Sequence, residues 1–219
     1  MDKIITNDNS ITLYNEEYQE TYHSKTGALE ETYKKFIEPT KIKELAKSGH
    51  IRILDICFGL GYNAIGAIDA IKESNLDCEI EIISLEKDLR LDETQELGIG
   101  FKNYQILKKL EFDPITNSYL YEDKNVHLII KIGDATKTIK KIQGKFDAVF
   151  HDPFSPKKNP EMWSKEFFID VKKIMTKDAI LATYSCARMV RDNLKDAGFR
   201  VQDGPKVGRR GPSTVAFRV

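Results

Sequence analysis

From residue 51 onward the chain alternates short, mainly apolar runs with longer stretches whose apolar positions repeat at helical spacing. Ile51 to Cys57 has the length and composition of a strand covered on both faces. Tyr62 to Lys72 predicts a helix, and Glu79 to Leu85 alternates into a second strand that ends on Glu86. Residues 90–111 carry helical spacing, whereas 112–125, with Asp113-Pro114, interrupt the repeat like an insertion. Val126 to Ile132 predicts a third strand ending in Gly133-Asp134, Thr136 to Ile142 a short helix, and Phe146 to Phe150 a fourth strand. Pro160 to Met175 follows as a helix with proline in its first turn, then Ala179 to Tyr184 as a fifth strand and Arg188 to Ala197 as a helix closed by Gly198. Phe199 to Val201 and Ser213 to Val219 fit a terminal hairpin. Alternating strand and helix units make a parallel sheet with helices on both faces the natural architecture.

Upstream the pattern differs. Ile4 to Thr6 and Ile11 to Tyr14 flank the turn-rich Asn7-Asp8-Asn9-Ser10 and predict a small hairpin. Gly27 opens a helical pattern with Leu29, Tyr33, Phe36 and Ile37 on one face; Pro39, which lacks an amide donor, is expected to end it. A short helix to Lys47 is capped by Gly49. The expected organisation is an extension over 1–49, packing on the substrate side, and a core over 50–219.

Composition narrows the classes. Lys+Arg and Asp+Glu both total 34, so any anion-binding surface must be local. No stretch approaches the roughly 20 apolar residues that span a bilayer, and the N-terminus lacks a signal-peptide layout, which points to the cytoplasm. Three scattered cysteines and four histidines without helical pairing suggest neither disulfides nor a metal.

The chemistry collects at the ends of the strands. After the first strand, Asp55-Ile56-Cys57-Phe58-Gly59-Leu60-Gly61 gives a turn that a ligand can approach closely at Gly59 and Gly61. Ala64 stands where a dinucleotide fingerprint needs a third glycine, and no Lys-Ser/Thr of a phosphate loop is present. A nucleoside without a pyrophosphate fits better. Asp55 could engage a cationic amino group, Glu86 both hydroxyls of a ribose, and Asp134, after Gly133, an adenine amino group. Phe58, Asn63, Lys87 and Ala135 are read as neighbours in that site. Each feature alone is more often an ordinary turn or a solvated rim acid; four at consecutive strand ends point to S-adenosylmethionine. The fourth strand then delivers Asp152-Pro153-Phe154. An amine that attacks a sulfonium methyl must be uncharged, and the Asp152 carboxylate and Pro153 carbonyl can accept its N–H hydrogens while Phe154 packs beside the methyl group. The plainer alternative makes Asp152 a local turn cap.

The runs Asp55 to Asn63, Ile83 to Lys87 and, above all, His151 to Trp163 resemble the methyltransferase domain of the bacterial tRNA 5-methylaminomethyl-2-thiouridine biosynthesis proteins. Leu181 to Ser185, Arg188 to Arg191, Ala197 to Phe199, Gly208-Arg209-Arg210 and the segment Ser10 to Pro39 extend the likeness over nearly the whole chain. The resemblance implies a class I methyltransferase (Rossmann-like) α/β fold with a seven-stranded, mostly parallel sheet, and N-methylation of 5-aminomethyl-(2-thio)uridine at the tRNA wobble position. A stand-alone form is expected, without the fused flavin-dependent oxidase domain of bifunctional members, and a monomer. Pro153 departs from the family's glycine and shifts the motif toward amino methyltransferases; Cys57 replaces a common glycine. Lys157, Lys158, Arg209 and Arg210 are candidate tRNA contacts, or simply a solvated face; Tyr22, His23 and Trp163 are candidates to stack a flipped base, or packing residues. A polyamine-synthase-like aminopropyl transferase and a non-catalytic RNA-binding relative stay open as alternatives.

Overall fold

A computed structural model describes residues 2–94, 97–98, 100–208 and 210–218. A first sheet pairs β1 (Lys3–Ile5), β2 (Ile11–Asn15) and β3 (Glu20–Thr21) antiparallel, adding a third strand to the expected hairpin. Helix α1 (Ala28–Glu31) runs through a π-helical turn, Thr32–Ile37, into α2 (Glu38–Thr40). Pro39 therefore does not end the helix. It lies in the first turn of α2, where a missing amide costs little, and the break comes at Lys41, whose φ of 57° reverses the chain into α3 (Ile42–Leu45).

The main sheet is built from β4 (His50–Ile56), β5 (Glu79–Glu86), β6 (Glu111–Asp113), β7 (Ser118–Glu122), β8 (Val126–Ile132), β9 (Phe146–His151), β10 (Met175–Thr183), β11 (Phe199–Asp203) and β12 (Thr214–Arg218). Their order is β11-β12-β10-β9-β4-β5-β8-β7-β6, with β10, β9, β4, β5 and β8 parallel and the flanking strands antiparallel. Seven of these nine strands match the expected sheet. The other two arise because residues 112–125 fold back as the hairpin β6–β7 and pair along β8.

Helix α4 (Tyr62–Ser74) and the segment 28–46 cover one face of the sheet. Short α6 (Ala135–Thr138), α7 (Lys165–Lys173) and α8 (Arg188–Asp196) cover the other. Ile51 and Ile53 belong to the first core and Leu54 and Ile56 to the second, so β4 is apolar on both sides. Within 90–111 only α5 (Leu91–Thr94) and a 3₁₀ turn, Tyr104–Lys109, are helical among the described residues. The expected helix 160–175 divides at Ser164, whose side chain accepts the Phe167 amide and starts a new helix. β10 then begins at Met175, with an irregularity before Ile180.

The chain order fixes where a ligand can sit. β4 leads outward to β5 and β8, and the chain then returns to β9 on the other side of β4, so the switch point lies between β4 and β9. Both chemical motifs, after β4 and after β9, hang over that point.

Candidate active site

The turn after β4 is held by backbone. Cys57 takes φ 70°, Gly59 55° and Gly61 82°, and the Cys57 and Phe58 amides donate to Leu85 O at 2.9 and 3.2 Å. Cys57 thus adopts the left-handed conformation that favours glycine, which explains why glycine is common there. Gly61 caps α4, and a Cβ on it would lie 2.8 Å from the Phe58 ring. Glu86, at the end of β5, accepts the Gly59 amide on Oε2 (2.9 Å) and the Lys87 and Asp88 amides on Oε1 (2.7 and 3.0 Å). Burial nevertheless pushes its carboxyl above the ordinary range.

These groups open onto a cavity of about 1200 Å³. Phe58, Gly59, Asn63, Glu86, Lys87, Gly133, Asp134 and Ala135 line it, as do Asp152, Pro153, Phe154, Tyr22 and His23. Among the described residues on its wall are eight carboxylates against three lysines and arginines, a potential suited to a cationic ligand.

Several side chains do other work than their sequence suggests. Asp55 is wholly buried, off the cavity wall: Oδ2 accepts the Ser84 hydroxyl at 2.9 Å and Oδ1 has no hydrogen-bond partner. A direct grip on a ligand's amino group is not its place. Burial raises its carboxyl to about 7. Because the folded value exceeds the unfolded one, about 3.9, its contribution to stability is full below about pH 4 and lost as pH rises to about 7. Asp55→Asn should therefore gain several degrees of thermal midpoint relative to the wild type at pH 8 compared with pH 5; an equal offset at both would remove Asp55 as the cause.

Asp134 lines the cavity but its Oδ1 caps α6, accepting the Thr136 amide at 3.0 Å and hydroxyl at 2.6 Å, while Oδ2 lies 3.4 Å from Lys137 Nζ. Asn63 donates to Asp152 Oδ2 at 2.8 Å and accepts from Thr32 Oγ1 at 3.2 Å, so it orients the acid. Trp163 is fully buried and off the cavity wall; its indole N–H donates to Phe154 O at 2.9 Å and its rings pack against His151 and Tyr184. It positions Phe154 and presents no face to a base. One face of His23 stacks on Tyr62, with ring centroids 4.8 Å apart, and burial lowers the imidazole to about 4, leaving it neutral.

Asp152 itself sits just past β9, its amide donating to Ile56 O at 3.0 Å. Burial first, then the Glu31 carboxylate, push its carboxyl well above the usual range. The Tyr184 hydroxyl donates to Pro153 O at 3.0 Å. Phe154 stacks on Tyr18 (4.4 Å between centroids, 14° between planes) and meets Tyr22 at 5.2 Å. The turn between β2 and β3 joins both banks of the cavity. Glu17 and the Tyr18 hydroxyl lie 3.4 and 3.5 Å from Lys87 Nζ, Gln19 accepts from Lys158 Nζ at 3.5 Å, and Glu20 receives the Ser155 amide (3.0 Å) and hydroxyl. Lys157, Lys158 and Arg210 are exposed and off the cavity wall; Gly208, two residues before Arg210, is on it. Arg209 lies outside the described residues.

Sequence reasoning missed Tyr18, Glu20, Tyr184 and the buried pair Glu31 and Lys35. Nothing local marks Tyr18, Glu20 and Tyr184, since their contacts are with residues far along the chain, and the spacing of Glu31 and Lys35 does not show their burial. Among the described residues, no group of three or more His, Cys, Asp or Glu could hold a metal, and no helix is long and apolar enough to cross a membrane.

Residues 103–218 match the family model described as S-adenosyl-L-methionine-dependent methyltransferase. The structure superposes on MnmC2 from Aquifex aeolicus with a TM-score of 0.86 and 38% identity, covering 99% of this chain and 70% of that one. An uncharacterized protein of Methanocaldococcus jannaschii is 35% identical over 97% of this chain. The bifunctional tRNA 5-methylaminomethyl-2-thiouridine biosynthesis protein MnmC of Leptospira interrogans is 31% identical over 94% of it. The chain spans 58% and 34% of those two proteins' lengths. The glycine turn braced by Glu86 and the acidic cavity fit a sulfonium nucleoside. The chain thus belongs to the S-adenosylmethionine-dependent methyltransferases, in their MnmC-like branch, with a class I Rossmann-like fold and S-adenosylmethionine as its cofactor.

Proposed function

We propose that this enzyme methylates the primary amine of 5-aminomethyl-(2-thio)uridine at the tRNA wobble position, in the cytoplasm. The observation that carries the reading is the Asp152 carboxylate, fixed by Asn63 beside the Pro153 carbonyl and the Phe154 ring, one strand from the cofactor loop. The likeness to the tRNA 5-methylaminomethyl-2-thiouridine biosynthesis protein of Leptospira interrogans supports the choice of tRNA.

When bound, S-adenosylmethionine supplies an electrophilic methyl group; Glu86 and the Gly59 turn would hold its ribose, with Gly133, Asp134 and Ala135 along the base. Asp152 draws on two effects. Its buried carboxyl favours the proton in the free enzyme, and an arriving alkylammonium reverses that by favouring the carboxylate. Once the ammonium has released one proton to solvent, the anion can accept a hydrogen bond from the neutral amine's N–H and stabilise the positive charge that develops on nitrogen. Pro153 O, held by Tyr184, offers a second acceptor, and the Phe154 ring, with Tyr18 and Tyr22 against it, offers an apolar face beside the reacting carbon. Residues 1–49 form the acceptor side of the cavity in this reading. In this reading the exposed Lys157, Lys158 and Arg210, with Arg209 beside Arg210 in sequence, are the candidate phosphate contacts.

Incubation with labelled S-adenosylmethionine and tRNA bearing 5-aminomethyluridine should yield 5-methylaminomethyluridine by nucleoside mass spectrometry, at a rate that falls with added salt. Absence of that nucleoside overturns the reading. The eight carboxylates on the wall favour a second reading, a polyamine-synthase-like aminopropyl transferase; putrescine with decarboxylated S-adenosylmethionine in the same assay decides between them.

A further inference from the structure

Glu31 and Lys35 are charged, yet 9% and 2% exposed, and they form an ion pair on the cavity wall. A buried pair contributes little to stability over an apolar one of equal size, and the reaction described above uses neither residue. Lys87 and Arg90 are the other lysine and arginine on the described wall. Their side chains are 68% and 39% exposed, so Lys35 alone of the three is buried.

Their position is set by close packing. Gly66 of α4 has no Cβ; one built there would lie 2.6 Å from Thr32 Cγ2, so the π-helical turn presses directly on α4. Thr32 then reaches Asn63, and Asn63 reaches Asp152, which ties the turn to the acid at the end of β9. Widened π-helical turns of this kind often carry functional side chains. The pair lies beside Asp152, on the α4 side of the cavity, whereas Glu86 and Asp134 end β5 and β8 beyond β4 on the other. Glu31 is further braced by the Ser24 amide on Oε2 (2.8 Å). Burial alone would raise the Glu31 carboxyl, but the Lys35 ammonium beside it brings it below the usual range, so Glu31 stays a carboxylate.

A neighbouring ammonium and carboxylate match an α-amino acid, which carries the same two charges in reverse. Asp55 is sunk beneath the floor and cannot make that match. We propose that Glu31 and Lys35 form the subsite for the amino-acid end of the cofactor, Lys35 taking the α-carboxylate and Glu31 the α-ammonium. This rests on the nucleoside lying against Gly59 and Glu86. The same subsite selects against a decarboxylated cofactor, which offers Lys35 nothing, and so separates this chain from aminopropyl transferases.

Calorimetry with three probes tests it on the full chain: S-adenosylhomocysteine, decarboxylated S-adenosylmethionine, and 5′-methylthioadenosine, which lacks the amino-acid end. In the double variant Glu31→Gln/Lys35→Met, which leaves no lone buried charge, S-adenosylhomocysteine should bind about 10–100-fold more weakly while methylthioadenosine is unaffected. Lys35→Met alone should weaken S-adenosylhomocysteine but not the decarboxylated compound. An unchanged ratio of S-adenosylhomocysteine to methylthioadenosine affinity in the double variant overturns the proposal, whether both are kept or both lost, as does a variant that changes only the acceptor's KM. Failure of the wild type to bind methylthioadenosine would instead strike the nucleoside site at Gly59 and Glu86.

Discussion

Asp152→Asn is expected to slow methyl transfer by about 10²–10⁴-fold, the span of a positioned proton acceptor, while S-adenosylhomocysteine affinity stays at the wild-type level. The substitution keeps the shape and one oxygen for the Asn63 amide, but removes the anion that accepts the ammonium's hydrogen. The wild-type rate should climb with pH as substrate amine and carboxyl lose their protons; in the variant only the amine's titration remains. Single-turnover rates from pH 6 to 9, with binding measured in parallel, check both halves. Undiminished turnover would take Asp152 out of the mechanism, and a parallel loss of cofactor affinity would assign it to the cofactor site instead.

Trp163→Ala should cost about 3–5 kcal/mol of stability, the usual loss for a large aromatic deleted from a packed core. For a chain of this size that lowers the thermal midpoint by roughly 6–20 °C. The residue is wholly buried and joins His151, Tyr184 and the Phe154 backbone. Trp163→Phe separates packing from positioning. It retains most of the apolar volume but loses the indole N–H to Phe154 O, so about 1 kcal/mol of stability should go together with a larger share of turnover. A Trp163→Phe enzyme with full kcat and a raised KM for tRNA would return the residue to base stacking.

The parallel strands were legible because each is a short apolar run covered on both faces, and the ends of β4, β5, β8 and β9 could be placed from those runs alone. That was enough to bring Gly59, Glu86, Asp134 and Asp152 to one edge. The direction of the side chains was less legible. Asp134 followed by Thr136 is a local capping pattern, and the cap occupies one of its two carboxylate oxygens. Asp55 occupies a strand interior, where pleat alternation and the neighbouring Ser84 turn it into the core. Trp163, with Met162, Phe167 and Phe168 close by, could have been read as core from its apolar neighbours. Glu31 and Lys35 have the i, i+4 spacing common to exposed helical pairs, and nothing in that spacing marks their burial.

The hairpin β6–β7 lies at the far side of the sheet from β9 and touches none of this chemistry. Its effect is colloidal. Without it β8, the seven-residue run Val-His-Leu-Ile-Ile-Lys-Ile, would be the sheet's border, a row of open amides and carbonyls ready to recruit another chain. With it the border on that side is three residues long and carries Glu111 and Asp113, which guards the molecule against its own kind.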